Sequence, residues 1–463
     1  MAGSAALMGA AERLEGFARE RLDVPGLAVG LIGPGGWRHE LAVGVADVAS
    51  GRPMDPGALL PVASISKAMT AAALLREHQA GQLGLDDPVH DHLPWLPLPT
   101  PFGPVTVAHL LAHTGGIVIG MEGSPSPVAE ALALGRTAPG WPPGERFSYS
   151  NVGYAVLGLV LERVAGCSYA EAIRRHVLDP CAMTASEPVT TAEAQARAAT
   201  GHLELDGGAM VPAPWVPTTA GSGATLCTAA DLGRFLRALV SGDPPLLEPA
   251  TRERMLTPAL PLPDGPRSGY GLGVKLDTEA GYRRVGHQGD CPGYSGYAHG
   301  CPETGAGVVA LGNGPWRPPG SSGSWAVVDH GLALLRAAIL GREPPADPPP
   351  ADPPPAVPGP PADGPPPGPV AGQLPGDLAA LVGTYAAWNP WVPEVRVRPD
   401  AAGSGLVLVL PEGDEEPLTP LADGGFRLGD DPDSPERVEF TTVIDGRPVQ
   451  AVVSGWPFDR IGP

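Results

Sequence analysis

The stretch "VASISKAMTAAALL", residues 62–75, places two serines and a lysine at the head of an apolar run. Its alanines and leucines recur at helical spacing, which predicts a helix over 65–80. Residues three apart share a helical face, so Ser64 and Lys67 are expected to be neighbours while Ser66 points elsewhere. A serine hydroxyl is almost wholly protonated at neutral pH, and it becomes a nucleophile only with a base in hydrogen-bond reach. A lysine one turn on can be that base once burial or nearby cations lower its pKa. The start of a helix adds backbone N–H groups and the positive end of the dipole beside a developing oxyanion. S-x-x-K fixes only two positions, so its meaning rests on what the rest of the chain supplies.

Working outward, "GLAVGLIG" (26–33) and "RHELAVGVADV" (38–48) read as the strands of a hairpin. The opening "MAGSAALMGAAERLEGFARERLDVPG" carries charges from Glu12 onward and has no basic segment leading into a sustained apolar run. It reads as an amphipathic helix rather than a signal peptide. Further helices are predicted at 106–112, 152–165, 169–177 and 229–240. The last enters through "CTAADL", where Thr228 caps and Asp231 favours the first turn. Strands return at "GYGLGVKL" (269–276), "YSGYAHGC" (294–301) and "GAGVVALGN" (305–313), before a helix at 325–340. Strands at both ends with helices between them predict an α+β domain, one antiparallel sheet with a helical region inserted.

"EPPADPPPADPPPAVPGPPADGPPPGP" (343–369) must be extended, because proline forbids helix and sheet pairing alike. The expected organisation is a domain over 1–342, a Pro-rich linker over 343–373 and a second domain over 374–463. In the last, "VRVRP", "GLVLVLP", "GFRLG", "RVEFTTVIDG" and "PVQAVVSG" alternate apolar and polar residues between turn residues. They predict a small antiparallel β-barrel or sandwich.

Among 463 residues, 30 are Lys or Arg and 50 are Asp or Glu, giving a formal net charge of -20. That balance repels phosphate backbones and anionic membranes, so neither nucleic acid nor a membrane is an expected partner. No uninterrupted apolar stretch approaches the roughly 18 residues that span a bilayer. The five cysteines are odd in number and contain no C-x-x-C pair, which fits reduced thiols and a cytoplasmic protein. "HLLAH" gives His109 and His113 the i, i+4 spacing used for zinc but lacks the glutamate of H-E-x-x-H, so both read as structural. "HDH" at 90–92 reads as a solvated loop, and no metal or cofactor is expected.

Two later stretches give S-x-x-K its company. "RFSYSNVGYAVLGLVLERVAG" holds Tyr149-Ser150-Asn151 before a helix, and "RRVGHQGDCPGYSGYAHG" holds His287-Gln288-Gly289 before glycine-rich strands. In this order the three motifs resemble those of the penicillin-recognising serine hydrolases, which carry S-x-x-K, Y-x-N, then K-T-G or H-x-G. "HLLAHTGGI", "GSGATLCTAADLGRFLRAL" and "GYGLGV" resemble further phrases of that family, and the likeness covers roughly residues 10–340. It implies a β-lactamase/penicillin-binding-protein-like fold, here followed by a lipocalin-like β domain.

The resemblance also implies roles. Ser64 is the acylated nucleophile, and Lys67 and Tyr149 share the proton as base and acid. Asn151 bonds Lys67 or the substrate amide. The N–H groups of Ser64 and of Asp290, just past Gly289, form the oxyanion hole. His287 replaces the lysine of K-T-G, and an imidazole with an ordinary pKa near 6.5 is mostly neutral at pH 7. A preference for carboxylate-bearing β-lactams or D-Ala-D-Ala ends is therefore not expected. H-x-G relatives include D-aminopeptidases, esterases and thioesterases that release and cyclise peptides. The expectation is hydrolysis of an amide or ester in a small molecule or peptide through an acyl-serine. The alternatives are a macrocyclising thioesterase served by a peptidyl carrier protein docking on Arg174-Arg175 or Arg283-Arg284, and a non-catalytic acyl sensor or scaffold.

Overall fold

The computed structural model describes all residues except 1–2, 121–125, 206–207, 216–219, 262–267, 316–322, 350–375, 388–391, 412, 445 and 463. Of the expected linker, 350–373 lies outside the described residues. By contact the chain divides into two compact units, residues 1–87 with 157–355 and residues 88–156 with 356–463.

The first unit is built on a nine-stranded antiparallel sheet. Its strands are β1 (Gly26–Ile32), β2 (Arg38–Asp47), β3 (Arg52–Pro53), β4 (Leu260–Pro261), β5 (Gly269–Tyr270), β6 (Lys275–Glu279), β7 (Tyr282–Cys291), β8 (Tyr294–Cys301) and β9 (Ala306–Gly312). They lie in the order β3-β2-β1-β9-β8-β7-β6-β5-β4, so the amino-terminal hairpin closes against the last strand through Val29↔Ala310. Every residue of β1, β8 and β9 is buried, which is the burial expected of central strands covered on both faces.

The covering helices follow from the same pattern. Helix α1 (Ser4–Glu20) sends Leu7, Leu14 and Phe17 into one cluster with Val29 and Leu31 of β1 and Val308 of β9. The last helix of the unit, Gly323–Leu340, joins that cluster through Val328, Leu332 and Leu335. By length and composition this one helix among the described residues is apolar enough to cross a membrane, and half of it is buried inside the protein. The helix Ala229–Ser241 begins as the sequence predicts, with Thr228 Oγ1 accepting from the Asp231 N–H at 3.2 Å. Helix α2 (Ser66–Gln79) runs within one residue of its predicted span, but Ser64 precedes it on a 3₁₀ turn, Ala63–Ile65.

The second unit combines the helical region 88–156 with a closed eight-stranded barrel. Five barrel strands match the alternating stretches of the sequence. The three that sequence reading missed are Gly383–Ala386, Glu415–Pro420 and Trp456–Gly462, each too short or too rich in proline and charge to alternate cleanly. Tyr385, Val397, Leu408, Val438 and Phe458 fill the barrel, so its interior is a packed core. Two further expectations are corrected. "HDH" lies on a short helix, Val89–His92, with His90 Nε2 2.9 Å from the Leu96 carbonyl. The helix expected at 169–177 is α-helical only to Ile173 and continues as a π turn over Arg174–Leu178.

Candidate active site

The turn that carries Ser64 begins with strain. Ala63 has φ 44°, a left-handed conformation that costs a residue with a Cβ roughly 1 kcal/mol, and Ser64 follows it half-buried. Lys67 is fully buried, and its Nζ donates to Ser64 Oγ at 3.0 Å and to the Ser222 carbonyl at 2.9 Å. Ser66 points away, and its Oγ accepts from the Thr225 N–H at 3.2 Å. The segment 221–225 therefore braces the turn from one side. Thr70 Oγ1 donates to the Gly221 carbonyl at 2.8 Å, and the Val62 N–H donates to the Thr225 carbonyl at 3.0 Å.

Strand β7 approaches from the other side. It pairs with β6 only as far as Gly286 but with β8 as far as Cys291, so residues 287–291 present one backbone edge that β6 does not cover. A Cβ on Gly289 would stand 2.2 Å from the Val62 carbonyl oxygen and 2.9 Å from the Ser64 nitrogen. The strand can lie this close to the Ser64 amide only because the residue is glycine. Asp290 follows with its side chain exposed.

His287 is buried in this strand and its tautomer is fixed. Nδ1 faces the Gln288 carbonyl, which can only accept, so Nδ1 carries the proton and Nε2 accepts from the Tyr270 hydroxyl at 3.0 Å. Burial, then the positive charges of Lys67 and Lys275, push its pKa down to about 3. The ring is thus neutral throughout the physiological range, and this strand offers no cation from His287. A histidine depressed in the folded state destabilises on acidification: between pH about 6.5 and about 3 the unfolded chain takes up a proton that the native ring does not. Tyr270→Phe removes the donor that holds Nε2 as an acceptor, so the His287 pKa is expected to rise. Titration of the His287 ring by NMR checks this. A flat response above pH about 4 is expected in the native protein and an upward-shifted midpoint in the variant, and identical curves would refute the assignment.

In the second unit, Tyr149 and Ser150 immediately precede the helix that Asn151 opens, Asn151–Ala165. Ser150 caps it, with its Oγ accepting from the Gly153 N–H at 3.0 Å and donating to the Val118 carbonyl at 2.7 Å. His113 takes part from "HLLAHTGG": its Nδ1 accepts from the Ser150 N–H at 3.0 Å, and its ring packs 4.3 Å from that of Tyr149. His109 closes a capping box with Thr106 at the start of the helix Val107–Leu111. Both rings thus serve local backbone. The Asn151 Oδ1 is buried and has no hydrogen-bond partner among the described residues.

Geometry thus brings Ser64, Lys67, His287 and Gly289 together within the first unit, and sets Tyr149 beside Asn151 in the second. Sequence reading missed Ser222 and Tyr270 as supports, whereas its structural reading of His113 agrees with the bond from the Ser150 N–H. The signal for the two missed residues was present in the phrases "GSGATL" and "GYGLGV", whose matches carried no assigned duty.

Residues 14–331 match the family model described as beta-lactamase. The chain belongs to the beta-lactamase family. Its fold is accordingly that of the penicillin-recognising serine hydrolases, and the C-terminal barrel lies beyond the matched region. Penicillin-binding protein 4 of Amycolatopsis lactamdurans is 30% identical over 322 residues, 65% of this chain and 84% of that one. Among solved structures, the octameric penicillin-binding protein homologue from Pyrococcus abyssi is 26% identical with a TM-score of 0.64, covering 97% of this chain and 99% of that one. A D-stereospecific amidohydrolase from Streptomyces sp. is also 26% identical, with a TM-score of 0.55 and coverage of 74% and 100%.

Proposed function

We propose that this member of the family hydrolyses an amide or ester of a D-configured, peptide-derived substrate through an acyl-Ser64 intermediate. The observation that carries the reading is the buried Lys67 Nζ 3.0 Å from Ser64 Oγ, beside the glycine-bared edge of β7. Ser64 Oγ attacks the substrate carbonyl carbon while its proton passes to the amine of Lys67 in its unprotonated form, with Tyr149 as the second carrier by the order of the motifs. That proton then goes to the departing amine or alkoxide, and water repeats the sequence in reverse to free the acid. Developing negative charge on the carbonyl oxygen is met by the N–H groups of Ser64 and Asp290. Asn151 Oδ1 accepts from the substrate amide, which supplies a donor that this buried atom has not found among the described residues.

Neutral His287 supports substrates without a carboxylate beside the scissile bond. The D-configuration is supported by the similarity to the D-stereospecific amidohydrolase. The test offers D- and L-phenylalanine amides and a p-nitrophenyl ester to the full chain. Ester turnover is expected, together with a D over L preference of at least about tenfold, which corresponds to about 1.4 kcal/mol in the transition state. No turnover of any amide or ester would remove the reading.

Release of a peptide thioester by its own amine shares every step up to the acyl-enzyme. The cations expected to dock its carrier are each already engaged: Arg174 with Glu187 at 3.4 Å, Arg175 with Glu77 at 3.3 Å, Arg283 with Glu253 at 3.0 Å and Arg284 with Asp277 at 2.9 Å. This weighs for water as the acceptor. A D-ended peptide thioester giving only the linear acid supports hydrolysis, and a product lighter by one water supports cyclisation.

A further inference from the structure

The second unit contains a path of hydrogen bonds from the barrel to the Tyr149-Ser150-Asn151 motif. Glu436 stands at the barrel rim, one residue before the strand Arg437–Ile444, and Ser454 one residue past its partner strand Arg447–Val453. The rim is closed by the Ser454 N–H donating to the Arg437 carbonyl at 2.7 Å. The two side chains meet there, the Ser454 hydroxyl donating to Glu436 Oε2. The other carboxylate oxygen, Oε1, accepts from the backbone N–H of Ile119 at 2.6 Å. Ile119 uses its own carbonyl in turn to accept from the Asn151 N–H at 2.7 Å and the Val152 N–H at 3.2 Å, the first donors of the helix that Asn151 opens. One residue back, the Val118 carbonyl receives the Ser150 hydroxyl at 2.7 Å. Segment 118–119 is therefore held on one side by the barrel and on the other holds the motif.

We propose that Glu436 is a positioning residue for hydrolysis, a barrel carboxylate that fixes the Ile119 peptide and through it the placement of Tyr149 and Asn151. The inference rests on the acyl-Ser64 reading above. A separate contact between the same parts, the ion pair of Arg146 with Asp433 at 2.7 Å, does not touch segment 118–119 and separates positioning from simple attachment of the barrel. A carboxylate can be replaced by an amide here without losing the acceptor that Ile119 needs, because glutamine keeps a carbonyl oxygen at the same reach. The second oxygen faces a hydroxyl, which can donate to a carbonyl or accept from an amide N–H.

The experiment uses the full chain and first asks whether a fluorophosphonate labels Ser64 of the native protein. Failure at that step overturns the functional reading and, with it, a role for Glu436 in hydrolysis, whereas the kinetic comparisons that follow overturn the role alone. In protein that labels, Glu436→Ala is expected to lower kcat on a p-nitrophenyl ester by about 10- to 100-fold with KM within about twofold, the scale of a small misplacement of reacting groups. Glu436→Gln is expected to recover kcat to within about threefold, and Asp433→Asn to stay within about twofold of native. Unchanged kcat in Glu436→Ala, or an equal loss in Asp433→Asn, overturns the proposal. Should Glu436→Ala not fold, Ser454→Ala decides: a two- to fivefold fall in kcat, on the order of one neutral hydrogen bond's worth of positioning, supports it, and native kcat overturns it.

Discussion

Ser64→Ala is expected to reduce kcat on amides and esters by about 10⁴-fold or more, the scale seen when the nucleophile of a serine hydrolase is removed. The loss arises because no other hydroxyl among the described residues shares its setting. Ser66, two residues on, is buried and committed to the Thr225 N–H, and Lys67 Nζ points at Ser64 and at the Ser222 carbonyl. Cys181 and Cys227 do not compete either: burial pushes their thiols up to about 12, far from the thiolate that attacks. Ser66→Ala is the matched control. It removes an acceptor from a buried N–H, so it is expected to cost about 1–3 kcal/mol of stability while leaving kcat within a few-fold. Steady-state rates, with mass spectrometry of the fluorophosphonate adduct, read both. Loss of label in Ser66→Ala but not in Ser64→Ala would reverse the assignment.

The control also shows why this part of the site was legible in the sequence and others were not. Spacing alone separated Ser64 from Ser66, because a three-residue offset fixes neighbours whether the turn is 3₁₀ or α. Spacing could not reveal that Ser64 stands outside the helix, since the left-handed Ala63 that starts the turn has no residue-type signature. The sheet was legible for a similar reason. Its central strands are near-continuous apolar runs, whereas the missed barrel strand Glu415–Pro420 reads "EEPLTP" and owes its place to closure of the barrel. His287 marks the boundary between the two cases. Its residue type argued for an uncharged ring, but the depth of that neutrality comes from burial, from Lys67, distant in the chain, and from Lys275 on the neighbouring strand. Glu436 lies beyond sequence reading altogether, because a glutamate after Ser434-Pro435 in a turn has no pattern linking it to Ile119, 317 residues earlier.

Gly289→Ala is the second change expected to have a large effect, and it acts through atoms that the substitution does not remove. A methyl group there would sit 2.2 Å from the Val62 carbonyl oxygen and 2.9 Å from the Ser64 nitrogen, both backbone atoms that no rotamer change can move aside. Either β7 or the nucleophile turn must shift. The turn is braced from behind by Thr225 and Ser222, so the strand edge carrying the Asp290 N–H is expected to withdraw from the Ser64 N–H. Separating two oxyanion donors costs about 10²–10³-fold in kcat, while overpacking at a buried position costs about 1–3 kcal/mol, so activity falls well before the fold is lost. Asp290→Asn keeps the backbone and removes only the exposed charge, so it is expected to retain kcat within a few-fold on an uncharged ester. Its effect belongs in KM for substrates bearing a free amine. The pair is read by kcat and KM on a neutral ester and on an amine-bearing amide, with thermal unfolding alongside. A Gly289→Ala protein with native kcat would show that β7 contributes nothing to the oxyanion, whereas loss confined to Asp290→Asn would move that role from the strand's amide to its carboxylate.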